Sequence, residues 1–121
     1  MKKVGDNKRK NKAKAAPVEF YVVAWSEADL DAGTHDCGTL STLYSTMAKA
    51  RKAVMDDIEV VAKDTMDCYD ADDLVDVFGT KSPKVLAKQM VDFDRNGLII
   101  WSGDGRKGYY YIAKYSTEFI D

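Results

Sequence analysis

Between Ser45 and Lys63 the apolar residues Met47, Ala50, Val54, Ile58 and Val61 return every three or four positions. That spacing places them on one stripe of a helix, and the stripe must be buried against something. The segments on either side carry a different period. Val18 to Trp25 (VEFYVVAW) is β-branched, aromatic and almost continuously apolar, which predicts an interior strand covered on both faces. Leu98 to Ser102 (LIIWS) and Tyr109 to Tyr115 (YYYIAKY) read as two further strands. Asn96-Gly97 precedes them, the pair favoured where both central residues of a hairpin turn need a positive φ. One long amphipathic helix set among strand segments predicts an α+β domain over residues 17–121. Its expected form is a small antiparallel sheet of about four strands with the helix packed on it, in the order β-α-(short helices)-β-β-β.

Finer expectations follow from local chemistry. Ser45 is a suitable N-cap for the long helix, with Lys52–Asp56 and Glu59–Lys63 as i,i+4 pairs on its polar side. Ser26 to Gly38 reads as a polar loop, and Thr39 to Tyr44 as a short strand or extended approach. Asp70 is positioned to cap a short helix through Phe78, with Leu74, Val75 and Phe78 facing inward and Gly79 ending it. Ser82-Pro83 is an N-cap followed by a proline at the first helical position. The residues after it read as a helical turn and then a strand through Met90, Val91 and Phe93. Gly103 to Gly108 is expected to form the turn of the last hairpin.

Charge divides the chain into two parts. Residues 1–16 hold seven cations (Lys2, Lys3, Lys8, Arg9, Lys10, Lys12, Lys14) against one acid, whereas the remaining residues hold nineteen acids against eleven bases. Val4 is the only large apolar residue of the first part, so residues 1–16 are expected to be a disordered basic arm. Such an arm seeks a polyanion. The acids concentrate in Asp64, Asp67, Asp70, Asp72, Asp73 and Asp76, within a stretch that contains no base. In the long helix Lys49, Arg51 and Lys52 lie early while Asp56, Asp57, Glu59 and Asp64 lie late, the reverse of what the helix dipole favours.

No segment approaches the roughly 18 apolar residues needed to span a bilayer, so no membrane association is expected. The basic start is followed by more lysines rather than an apolar core, unlike a secretory signal. Cys37 and Cys68 then read as reduced thiols of a cytoplasmic protein. Lys8-Arg9-Lys10-Asn11-Lys12 would serve as a nuclear address in a eukaryotic host.

Four patterns touch on chemistry. Asp92, Asp94, Asn96, Gly97 and Ile99 fit the opening of an EF-hand loop, but Gly103 stands where the bidentate glutamate belongs, and a β-turn explains the same residues. Gly103-Asp-Gly105-Arg-Lys-Gly108 matches G-x-G-x-x-G, yet a strand follows it where a dinucleotide site needs a helix. Arg106 and Lys107 at its tip remain candidate phosphate contacts. Lys107 to Ile112 approximates the aromatic RNP1 pattern of strands that stack on RNA bases, but Tyr110 occupies a small-residue position, and no family is assigned. His35-Asp36-Cys37 sets the single histidine beside a thiol, without the spacing of a metal site.

No cofactor, metal ion or catalytic set is expected. The leading expectation is a non-enzymatic, nucleic-acid-associated accessory protein. Its phosphate contacts are the arm lysines and Arg9, with Arg106 and Lys107, while the body provides specificity. The alternative is a small acidic inhibitor or modulator of the phage or mobile-element type, whose six clustered aspartates occupy a basic surface on a protein partner.

Overall fold

The computed structural model describes residues 17–103 and 105–117, and the expected basic arm lies outside the described residues. The chain opens with a hairpin, β1 (Glu19–Asp29) and β2 (Thr34–Thr39). Helix α1 (Met47–Met66) follows. A 3₁₀ turn (Ala71–Asp73) leads into the short α2 (Leu74–Phe78), and α3 (Pro83–Met90) comes next. A meander of β3 (Val91–Arg95), β4 (Leu98–Gly103) and β5 (Arg106–Ser116) closes the fold. The five strands form one antiparallel sheet in the order β2-β1-β5-β4-β3. The α+β class and the C-terminal meander match expectation. The strand count and the single helix do not: the sheet has a fifth strand, and α3 joins α1 in covering it.

The extra strand is β2. Its six residues, THDCGT, are all exposed and show no apolar alternation, so the sequence reads as loop. It is a strand because β1 continues past Trp25 to Asp29 and offers it a full ladder from Ala24–Thr39 to Asp29–Thr34. The turn between them is built by Asp29, whose Oδ1 accepts from the amides of Asp31 and Ala32.

Helix α1 buries Ala50, Val54, Ile58, Ala62, Thr65 and Met66, continuing the expected stripe three residues beyond Lys63. Thr46, not Ser45, is the N-cap, accepting from the Lys49 amide at 3.1 Å. Lys52 pairs with Asp56 as expected, but Lys63 reaches forward to Asp67 at 3.4 Å instead of back to Glu59. Ser82 caps α3 through the Val85 amide, and the helix runs through Met90, well past one turn, before β3 begins. Gly79 ends α2 in the left-handed region as expected. Asp70 precedes the 3₁₀ turn without a side-chain capping bond, and Val75 faces solvent while Leu74 and Phe78 pack on the core.

The core joins the α1 stripe and Leu86, Ala87 and Met90 of α3 to one face of the sheet, where Val23, Ile99, Trp101, Tyr110 and Ile112 are buried. Each fully buried aliphatic side chain contributes about 1.5–3 kcal/mol. At the β3–β4 turn Asn96 and Gly97 have φ of 55° and 81°, as a type I′ turn requires. A side chain at Gly97 would also meet the Ile112 carbonyl at 2.8 Å. The last hairpin is tighter than expected, because β4 reaches Gly103 and β5 starts at Arg106.

Two side-chain links bind α1 to the sheet. Arg51 forms a two-pronged pair with the Asp94 carboxylate, and the Tyr110 hydroxyl donates to Asp57. The Arg51 hydrogen bond holds the Asp94 carboxyl below its ordinary range. Burial first, and then Asp57, push the Tyr110 hydroxyl above the ordinary phenol range, so it remains a donor. These links account for two of the reversed charges of α1: Arg51 and Asp57 serve partners across the interface rather than the helix dipole.

Ile58→Ala should lower the unfolding free energy by about 2–5 kcal/mol in urea titration, while Val60→Ala on the exposed side of α1 should change it by less than about 1 kcal/mol. The depressed Asp94 carboxyl contributes stability above its unfolded pKa, and that contribution disappears as pH falls through the lower folded value. Asp94→Asn should therefore give a shallower loss of urea midpoint between neutral and acidic pH than the parent protein.

Candidate functional site: the open face of the sheet

Strand alternation sends every second residue away from the helices, and no described element covers that side. The prediction that β1 is buried on both faces is therefore corrected. Val23 is fully buried on the helical side, while Phe20, Val22 and Ala24 point to the other and remain only partly covered. In β5 the same alternation buries Tyr110 and Ile112 and turns Tyr109, Tyr111 and Tyr115 outward. The outward rings are well exposed: Tyr109 46 %, Tyr111 48 %, Tyr115 51 %, with Phe93 at 42 % and Ile100 at 38 % from the neighbouring strands. Phe20 and Tyr115 stack on one another at 5.8 Å between centroids, fixing two rings at one end of the face.

A concentrated apolar and aromatic surface on a small domain marks a contact site. Its relief is set by residue size. Along β1 the outward side chains shrink from Phe20 through Val22 and Ala24 to Ser26 and Ala28. Gly108 is held to glycine because a Cβ there would lie 2.2 Å from the Ser26 carbonyl and 3.0 Å from the Trp101 indole nitrogen. That restriction acts on the helical side, while on the open side the small Ser26 and Ala28 leave a shallow cavity of about 500 Å³ with Tyr109, Leu98 and Ile100 as its walls and Lys107 at one side.

The polar groups of this face are few. Ser26 Oγ lies 2.6 Å from His35 Nε2, so the histidine's partner is Ser26 on β1, and Cys37 is not its contact. A serine–histidine contact is half of a nucleophilic pair. No described carboxylate bonds His35, and Ser26 lies mid-strand between two ladders that engage the surrounding amides. Lys107 and Arg95 are the cations of the face, and Asp92, which accepts from Ser102 Oγ, is its carboxylate.

The other candidate residues lie elsewhere. Arg106 points to the helical side, where it donates to Glu27 at 3.2 Å and lines a second cavity with Asp29, Asp31 and Asp64. Lys107 alone of that pair reaches the open face. Lys2, Lys3, Lys8, Arg9, Lys10, Lys12 and Lys14 lie outside the described residues. Asp64, Asp67, Asp70, Asp72, Asp73 and Asp76 are all exposed, at the end of α1 and along the segment through α2. Of these six, Asp67 has an ion-pair partner among the described residues.

The stretch that matches the opening of an EF-hand loop forms the β3–β4 hairpin. Asp92 and Asp94 are strand residues already bonded to Ser102 and Arg51, and the segment after them is β4. Among the described residues no group of three or more His, Cys, Asp or Glu side chains is arranged to hold a metal ion. Likewise, none of the described helices is long and apolar enough to cross a membrane.

No protein family, curated protein or solved structure matches this chain.

Because the outward rings lie outside the core, Tyr109→Ala and Tyr111→Ala should each lower stability by no more than about 1 kcal/mol, the size of a cross-strand pair. Tyr110→Ala, which empties a core site, should cost about 3–5 kcal/mol by the same thermal or urea unfolding measurement.

Proposed function

We propose that this protein is a non-enzymatic accessory protein that associates with single-stranded nucleic acid. In this reading the cations of residues 2–14 hold phosphates, and the open sheet face makes the body's contact with unpaired bases. The observation that carries it is the outward row of Tyr109, Tyr111 and Phe93, with the Phe20–Tyr115 stack at one end and Lys107 at the other. Every base has a π-face, and stacking on an exposed ring is worth about 1–3 kcal/mol per base without demanding a sequence. A duplex hides those faces inside its own stack, so the surface suits single strands. Arg106, drawn to Glu27 on the other side, leaves Lys107 as the hairpin's phosphate contact. The free, exposed thiols Cys37 and Cys68 accord with a reducing, cytoplasmic setting.

A second reading rests on the helical layer. Its exposed aspartates, from Asp64 to Asp76, would occupy a basic surface of a protein partner. The two readings use opposite sides of the molecule and separate cleanly by mutation.

Fluorescence anisotropy with a labelled single strand of about twenty nucleotides should show binding at low salt. For about five phosphates neutralised by the arm, log K should fall against log salt with a slope of about −3.5. Deleting residues 2–14 should flatten that slope and weaken binding. Charge reversal at Asp67, Asp70, Asp72, Asp73 and Asp76 should leave binding intact or strengthen it. Absence of binding by the full chain to any single strand at low salt would overturn the reading.

A further inference from the structure

We infer that the cavity on the open face, floored by Ser26, Ala28 and Gly108 and walled by Tyr109 and Ile100, is a subsite for one unstacked nucleobase of a bound single strand, with Lys107 taking the adjoining phosphate. The inference rests on the nucleic-acid reading above and deepens it from a general platform to one defined contact.

Shape comes first. Elsewhere the face carries the exposed rings of Tyr111, Phe93 and Tyr115, on which a base can lie flat. At the Ser26–Tyr109–Ile100 level of the ladder the surface drops instead, because β1 supplies the small residues Ser26 and Ala28 there. A volume of about 500 Å³ is within the range that encloses a small organic ligand. The ring of Tyr109, half-exposed at the wall, presents a surface for stacking.

Chemistry then selects the occupant. An apolar side chain from a protein partner would fill the walls and leave the Lys107 ammonium unmatched. The Ser26 hydroxyl is already paired with His35 Nε2 at 2.6 Å, so the features of the cavity that ask for a partner are the Tyr109 ring and the Lys107 charge. A nucleotide answers both, with an aromatic plane against Tyr109 and a phosphate toward Lys107. The sign of the charge agrees as well. Among the described residues Lys107 and Arg95 outnumber this face's carboxylate, Asp92, and the acidic stretch from Asp64 to Asp76 lies on the helical layer.

Ala28→Leu fills the cavity from its floor without touching the core. In the full chain it should weaken binding to a single strand of about twelve nucleotides by about tenfold or more, with the melting temperature unchanged. Tyr109→Leu, which keeps the wall apolar but removes the ring, and Lys107→Gln should each weaken it by several-fold. The Ala28→Leu and Lys107→Gln losses should not add fully, because both act on one nucleotide. Unchanged affinity in Ala28→Leu and Tyr109→Leu, alongside weakened binding in Tyr111→Ala, would overturn the subsite and leave the stacking platform standing. Failure of the unmutated chain to bind any oligonucleotide would overturn both. A parent protein that sediments as a dimer and becomes monomeric in Ala28→Leu would assign the cavity to a second copy of the chain and overturn the inference.

Discussion

Burial of the α1 stripe against one side of the sheet is the contact on which the rest of the molecule depends. Ala50, Val54, Ile58 and Ala62 meet Val23, Ile99, Trp101, Tyr110 and Ile112, and α3 extends the same layer with Leu86, Ala87 and Met90. Among the described residues a single helical layer meets the five-stranded sheet. Covering one side stabilises the fold and leaves the other to whatever the strands present there. With β1 and β5 each eleven residues long, that other side is large, and much of it is aromatic.

The link between layers also reorganises the electrostatics. A helix with cations early and carboxylates late opposes its own dipole, at a cost of up to about 1 kcal/mol for charges near the ends. Here the middle of α1 faces groups of opposite character on the sheet. Arg51 takes the Asp94 carboxylate of the β3–β4 hairpin, and Asp57 takes the Tyr110 hydroxyl. A two-pronged ion pair and a hydroxyl–carboxylate bond tie the helix to the sheet at two points. The first of them engages the Asp94 carboxylate with Arg51.

The proposed function rests on the asymmetry. The helical layer carries the exposed aspartates, and the opposite side carries rings, small residues and a few cations. A surface of this kind suits a ligand with flat apolar faces and negative charge along a backbone, which is the composition of an unpaired nucleic-acid strand. In that proposal the basic residues preceding Pro17 act in the same direction through charge alone. The proposed division of labour is therefore long-range attraction from the arm and short-range, geometry-dependent contact from the sheet.

Local chemistry in the sequence determined much of this. The three-and-four spacing from Met47 to Val61 specified α1, Asn96-Gly97 specified the β3–β4 turn, and Ser82-Pro83 specified the start of α3. Each rests on interactions within a few residues, so each is legible without the fold. The alternation of YYYIAKY likewise divided its tyrosines into two sets. What only the tertiary structure decided is which set is covered, because that depends on the side of the sheet against which the helices pack. It also decided that THDCGT is a strand, since an exposed edge strand is held by the neighbour's ladder and not by its own side chains. The Ser26–His35 contact crosses the β1–β2 hairpin, and the approach of Gly108 to Ser26 and the Arg51–Asp94 link join residues distant in sequence. Distance across a sheet is fixed by register, and register is a property of two strands at once.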